Sequence, residues 1–307
     1  MIKMDTKFCF EPVSFQNEPV VRHYMESFGE NSCQHSFTSM FSLYEKYGDS
    51  VCERDGFLYV WRKHLSREGV RVYLAPMGDG DFHAAYARLM EDAHACGQKV
   101  ALQTVSQAQK DIIESLFPDK FAITESRDDA EYLYTSQKLA TLPGKKLVNK
   151  RHDANHYWRT YGPRTQVTRI TQADFSEVWA FEQKWLKQCW EDHDRDALQR
   201  EARTIEKQLE HFDRLRISGI VLRLDGEVRG FGYGTPISDS CYDALIEKGD
   251  REIQHIYRVL NQEAVKQCAM DYTYVNREED VGVQGLRASK LAYQPDLLLK
   301  KYRVIEK

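Results

Sequence analysis

No stretch of this 307-residue chain approaches the ~20 consecutive apolar residues a membrane-spanning helix needs. Its most apolar runs, such as Gly219 to Leu222, are strand-sized, and the mean hydropathy is −0.62. The opening Met1-Ile2-Lys3-Met4-Asp5 lacks the apolar core of a secretion signal. With 8 prolines and 17 glycines, the chain is neither collagen-like nor low-complexity. The seven cysteines are odd in number, widely spaced and without a CxxC pair. They read as buried thiols of a reducing cytoplasm, not as a disulfide framework or zinc knuckle. No Gly-x-Ser-x-Gly elbow or Walker loop is present, so neither serine hydrolase nor P-loop chemistry is supported. Nor does one sign of charge dominate: 43 basic against 47 acidic residues give −4. Contact with a nucleic acid would need a local patch.

What is present is an alternation of strand-like and helix-like segments, which predicts a mixed α/β fold. At ~150 residues per domain, the length predicts two domains, with one large domain as the alternative. In the first half, Phe57–Arg62, Val70–Pro76 and Val100–Val105 read as strands; Asn31–Tyr47, Asp81–Gly97 and Ser106–Phe117 read as helices. In the second, Ala173–Trp190, Arg195–Leu215 and Glu252–Cys268 read as helices, and Ile220–Leu224 with Val228–Gly234 as a hairpin. Asp55-Gly56 and Asp225-Gly226 recur at an offset of 170, and Tyr86 and Tyr257 at 171, the trace expected of a duplication. The predicted division is residues 1–142, a connector 143–164, and residues 165–307.

The connector carries six basic residues, including Lys150 and Arg151, against one acid, Asp153, with His152, His156, Tyr157, Trp158 and Tyr161 interleaved. Basic groups attract phosphates and flat rings stack on bases, so this is the expected place for a nucleic acid, a CoA diphosphate or a lipid headgroup. The plainer reading is a helix whose aromatics pack and whose lysines are solvated. His152 and His156, at i and i+4, find no third ligand at convincing spacing, and no metal site is expected.

The densest polar cluster runs from Asn276-Arg277-Glu278-Glu279-Asp280 to Gly285, Arg287, Lys290 and Tyr293. It begins where a strand ends, the place where open α/β sheets bind ligands. Three successive acids suit binding or deprotonating an amine. Glu278, Glu279, Asp280 and Tyr293 are the catalytic candidates. Asn276, Arg277, Gly285, Arg287 and Lys290 are candidates for binding substrate, Gly285 by letting the backbone approach closely. Lys248, in Glu247-Lys248-Gly249-Asp250-Arg251-Glu252, precedes a helix start whose amides could receive a pyrophosphate.

Three stretches carry a family resemblance: Asn276 to Pro295, Leu142 to Leu147 with Lys150-Arg151 and Asn155, and Ile246-Glu247-Lys248. They resemble a bacterial family of soluble proteins bearing the phosphatidylglycerol lysyltransferase carboxyl-terminal domain. The resemblance implies two tandem GNAT-like acyltransferase domains, with the donor's pyrophosphate near Lys248 to Gln254. It also implies aminoacyl-tRNA or an acyl-CoA as donor, a small-molecule or lipid-headgroup acceptor, and tRNA at the basic connector. The expected location is the cytoplasm, peripheral to the membrane in the lipid reading. The alternatives are acetyl-CoA-dependent acetylation of a small amine and a non-catalytic binding protein that keeps the fold.

Overall fold

A computed structural model describes residues 8–189 and 194–307. Contacts divide the chain into two units, each discontinuous in sequence. The first comprises the chain up to Glu131 with Glu279–Gly282 and Leu299–Lys307; the second comprises Tyr132–Glu278 and Val283–Leu298.

In the first unit, β1 (Glu11–Pro12), β2 (Asp49–Arg54), β3 (Phe57–Arg62), β4 (Val70–Leu74), β5 (Met77–Gly78), β6 (Lys99–Val105) and β7 (Phe121–Glu125) form the sheet with the terminal strand Tyr302–Glu306. The order is β1-β2-β3-β4-β6-terminal strand-β7, with β5 on β3. The β2–β3 hairpin turns at Asp55-Gly56, where both residues have positive φ (49° and 77°) as a type I′ turn demands. Helices α1 (Glu18–Phe28), α2 (Phe37–Ser42) and α3 (Tyr44–Tyr47) precede β2. The single helix expected over Asn31–Tyr47 begins only at Phe37, because Glu30 and Asn31 adopt positive φ. Helix α4 (Phe82–Ala95) starts at Asp81, whose carboxylate accepts from the Ala84 amide; α5 (Gln107–Leu116) starts at a Ser106–Gln109 capping box. Tyr59, Tyr73, Tyr86, Leu89, Leu102 and Val304 fill this unit's core.

In the second unit the chain passes through β8 (Glu131–Thr135), α6 (Ser136–Thr141), α7 (Val148–Tyr161), β9 (Thr165–Arg169), α8 (Phe175–Cys189) and α9 (Arg195–Glu210). It continues through β10 (Ser218–Leu224), β11 (Glu227–Ser238), β12 (Cys241–Gly249), α10 (Ile256–Ala264), β13 (Tyr274–Glu279), α11 (Gln284–Leu291) and β14 (Leu297–Leu299). The sheet order is β14-β8-β13-β12-β11-β10-β9. The β10–β11 hairpin repeats the type I′ turn at Asp225-Gly226. Trp190, the expected end of α8, lies outside the described residues.

These boundaries differ from the expected division at 142 and 165. Strand β8 and helices α6 and α7 group with the second unit, and the terminal strand completes the sheet of the first. The physical reason is burial. Ala154 and Tyr157 of α7 pack with Ile220, Leu222, Val259 and Leu260, so the basic connector is a core helix of the second unit. Its outward Lys145, Lys146 and Arg159 remain exposed. All seven cysteines are free thiols, but Cys9 and Cys96 are exposed rather than buried. Among the described residues no helix is long and apolar enough to cross a membrane.

Candidate active site

Each unit contains a strand–helix–strand segment with parallel strands, and the two differ in one respect. In the first, β4 pairs with β6 along its whole length, Val70–Leu74 against Lys99–Gln103. In the second, β12 pairs with β13 only over Cys241–Asp243 and Tyr274–Asn276, although β12 runs on to Gly249. The strands therefore part beyond Asp243 and Asn276. A bulge accompanies the parting. Tyr233 faces Ile246 and Thr235 faces Asp243, so β12 takes three steps where β11 takes two. Gly234 permits this: a Cβ there would stand 1.9 Å from the Asp243 carbonyl oxygen.

Adjacent residues of a strand face opposite ways, so Glu247 and Lys248 serve opposite faces of β12. On the face that carries α7 and α10, Glu247 accepts from Arg277 Nη2 at 2.9 Å and from Asn261 Nδ2 at 2.7 Å. Burial disfavours the Arg277 charge, but the Glu247 carboxylate together with Tyr293 and Tyr134 outweighs it and holds the guanidinium ionised. Arg277 Nη1 is buried and has no hydrogen-bond partner among the described residues. The Arg277 guanidinium lies 5.0 Å from the ring centroid of Tyr293, with Lys150 Nζ at 5.2 Å and the Arg258 guanidinium at 5.5 Å. Arg258 donates to the Tyr293 hydroxyl at 3.3 Å and pairs with Asp153 at 3.4 Å. His255 stands 3.6 Å from Asp153 and packs edge-on against His156. Burial and the charges of Arg258 and Arg277 depress the Lys150 ammonium below the ordinary lysine value. Three cationic side chains from α7, α10 and β13 thus converge on one tyrosine, against two carboxylates. Guanidinium and ammonium groups gathered in this way are the chemistry that attracts and orients an anion.

This cluster brings together Arg277, Tyr293 and Lys150 of the anticipated residues. Asp153, Arg258 and His255 carried no signal that singled them out, because charged residues are mostly solvated, and Glu247 was named only as a neighbour of Lys248. The others go elsewhere. Arg151 caps α6 through the Leu142 carbonyl. Lys290 is buried and donates to the Arg277 carbonyl, fixing the end of β13 rather than sharing an anion with Arg287, which is half-buried. Asn276 is fully buried and accepts from the Glu278 amide at 2.7 Å, holding Glu278 at φ +57°. Gly285 is exposed, has ordinary φ and nothing within 4 Å of a Cβ, so no close approach requires it.

The three successive acids divide between the units. Glu278 belongs to the second; Glu279 and Asp280 belong to the first. There Glu279 accepts from Cys33 Sγ at 3.3 Å and Gln34 Nε2 at 3.2 Å. Asp280 is fully buried and accepts from Arg127 at 3.2 Å and from the Gly282 amide at 3.0 Å. Lys248 turns to the other face of β12, where it pairs with Glu201.

The turn expected to receive a pyrophosphate is occupied by the chain's own carboxylate. Asp250 is buried, accepts from the Glu252 amide at 3.0 Å and pairs with Arg229 at 3.1 Å. The Ile253 amide is bonded to the Asp250 carbonyl.

Comparison with known proteins places the chain in a family. The family described as "Phosphatidylglycerol lysyltransferase, C-terminal" matches residues 26–305. The chain belongs to this family. A crystal structure of a conserved protein of unknown function from Bacteroides thetaiotaomicron is 30% identical, with a TM-score of 0.92 over 98% of this chain and 100% of that one. The structure of L-PGS from Bacillus licheniformis shares the fold at 15% identity and a TM-score of 0.66, over 98% and 94% of the two chains. FemX shares it at 11% identity and 0.63, over 96% of each. An uncharacterised protein of Mycoplasmoides gallisepticum is 25% identical over 175 residues, 56% of this chain and 55% of that one. The chain has the expected fold class: mixed α/β, with one mixed sheet in each unit.

Proposed function

We propose that the protein is an acyltransferase that takes an aminoacyl group from a charged tRNA and passes it to a small-molecule or lipid-headgroup acceptor. The observation that carries this reading is the parting of β12 from β13 with Lys150, Arg258 and Arg277 gathered on Tyr293 beside it. The family description and the shared fold of L-PGS and FemX support the class of reaction.

In this reading the three cations hold the terminal phosphodiesters of the donor, fixing the ester carbonyl for attack. The acceptor nucleophile bonds to that carbonyl carbon and sheds its proton, the ester C–O bond breaks, and the ribose oxygen leaves with a proton. The Tyr293 hydroxyl, which accepts from Arg258, is placed to give the ribose oxygen its proton and to take up the one the nucleophile sheds. Glu247 and Asp153 orient the guanidinium groups and act through them. The buried Asp250 carboxylate in the turn before α10 speaks against a CoA pyrophosphate, since it would repel the anion and already takes the Glu252 amide.

The test is incubation with tRNA charged with labelled amino acids and phosphatidylglycerol vesicles, alongside filter binding of tRNA and calorimetry with acetyl-CoA. Label in the lipid, or in added small amines, together with saturable tRNA binding is the expected result. Acetyl-CoA binding without tRNA binding would replace it with ordinary N-acetylation. Binding of neither donor would leave a non-catalytic protein.

A further inference from the structure

The opposite face of β12 holds a second polar cluster that the proposed donor site does not use. Glu182 of α8 has zero exposure, and neither carboxylate oxygen has a hydrogen-bond partner among the described residues. A buried, unbonded carboxyl is costly and rare in a folded interior. Beside it, Lys248 of β12 is nearly buried, pairs with Glu201 of α9 at 2.5 Å and sits 3.7 Å from the ring centroid of Trp185. Trp185 in turn donates its indole N–H to the Gly249 carbonyl at 3.2 Å. Tyr233 of β11 donates to Gln208 of α9 at 2.8 Å.

Carboxylates around an aromatic face are the chemistry by which proteins recognise ammonium groups. Here one internal ammonium, that of Lys248, faces two carboxyls, and Glu201 already takes it. Glu182 is surplus. We propose that Glu182 completes a binding site, next to Lys248 and Trp185, for the ammonium group of a primary amine ligand, either the acceptor or the side chain of the transferred aminoacyl group. The identity of that amine rests on the aminoacyl-transfer reading; the site itself does not.

Burial raises the Glu182 carboxyl to about 7, with Lys248 lowering it and Glu201 raising it. The charged and titratable groups that face it are Lys248 from β12, Glu201 from α9 and Tyr233 from β11. Only the ionised carboxylate pairs with an ammonium. Binding therefore strengthens as pH rises through the Glu182 value and displaces a proton on the way.

Cadaverine is the probe, titrated calorimetrically into the full chain without tRNA or lipid, with n-pentanol as the uncharged control. The expected result is saturable cadaverine binding that tightens ~10-fold from about pH 6 to about pH 8 and releases a proton near neutrality. Glu182→Gln, close to isosteric, removes both the pH dependence and the proton release and weakens binding ~10-fold or more. No cadaverine binding, equal binding of n-pentanol, or a pH-independent affinity overturns the proposal. The pH profile of the unsubstituted protein decides the matter should Glu182→Gln fail to fold. Because no donor is present, failure of the transfer assay leaves this result standing, and failure here leaves the transfer assay standing.

Discussion

Glu247 accepts the Arg277 guanidinium at 2.9 Å just beyond Asp243 and Asn276, the last residues at which their two strands are paired. An ion pair thus stands where backbone hydrogen bonds would otherwise continue. Both partners are mostly buried, with side-chain exposures of 14% and 17%. Removing one partner leaves a buried charge uncompensated. Glu247→Gln should lower unfolding free energy by ~3 kcal/mol in urea titrations. It should also weaken donor binding, because Arg277 loses the contact that aims it. An unchanged denaturation midpoint would show that the pair only decorates the gap.

Arg258 and Lys150 reach the same tyrosine from separate helices. Arg258→Ala should lower transfer ~10²-fold, the scale seen when a charge clamp on a reacting group is removed. Burial and two neighbouring guanidinium groups depress the Lys150 ammonium, so its charge is lost as pH rises through a value below the ordinary 10.5. The alkaline limb of tRNA binding should accordingly lie below the usual lysine range. Lys150→Arg should move that limb upward.

For stability, Glu182 acts in the opposite sense to most acids. Its folded value is raised from 4.5 to about 7, so the native state holds a proton that the unfolded chain has released. The cost is absent below the unfolded value, grows between 4.5 and about 7, and is fully present above it. Glu182→Gln should therefore gain up to ~3 kcal/mol relative to the parent above neutrality and little at acid pH. Parallel pH-dependent melts of the two proteins read the difference directly.

His35 gives the complementary case in the first unit. It is fully buried, its Nδ1 is 3.1 Å from the Gly29 carbonyl oxygen, and burial and the Lys301 charge lower it from 6.5 to about 4. Between these values the unfolded chain binds a proton that the native state refuses, so stability falls as pH drops from 6.5 toward 4. His35→Asn should flatten that acid limb, whatever its effect at neutral pH. Identical acid slopes for both proteins would remove His35 from the account.

Gly234 permits the bulge that parts the strands. Gly234→Ala forces a Cβ to within 1.9 Å of the Asp243 carbonyl oxygen, so the strands must shift. Donor binding should fall far more than it does for Gly285→Ala, where a Cβ meets nothing.

Much of the local structure was legible without coordinates. Strand β3 runs over Phe57–Arg62 as read from its pattern, α5 begins at the Ser106 cap, and both hairpins turn at aspartate–glycine. These features depend on residues close in sequence, where φ preferences, caps and period-2 or period-3.6 burial act directly. Of the candidate site, Arg277, Tyr293 and Lys150 were picked out by composition. Their common centre was not, nor were Arg258, Asp153 and Glu247, because a charged residue carries no local mark of what it will meet.

The sequence by itself determined the α/β alternation, the turn chemistry and the absence of a membrane-length apolar run. Tertiary structure alone decided that the basic connector is a core helix, that the terminal strand completes the first sheet, and that Glu279 and Asp280 join the first unit while Glu278 stays with the second. It also decided that Glu247 and Lys248 serve opposite faces of one strand. The reason is that strand pairing and burial join residues more than a hundred positions apart, whereas propensity and periodicity reach only a few.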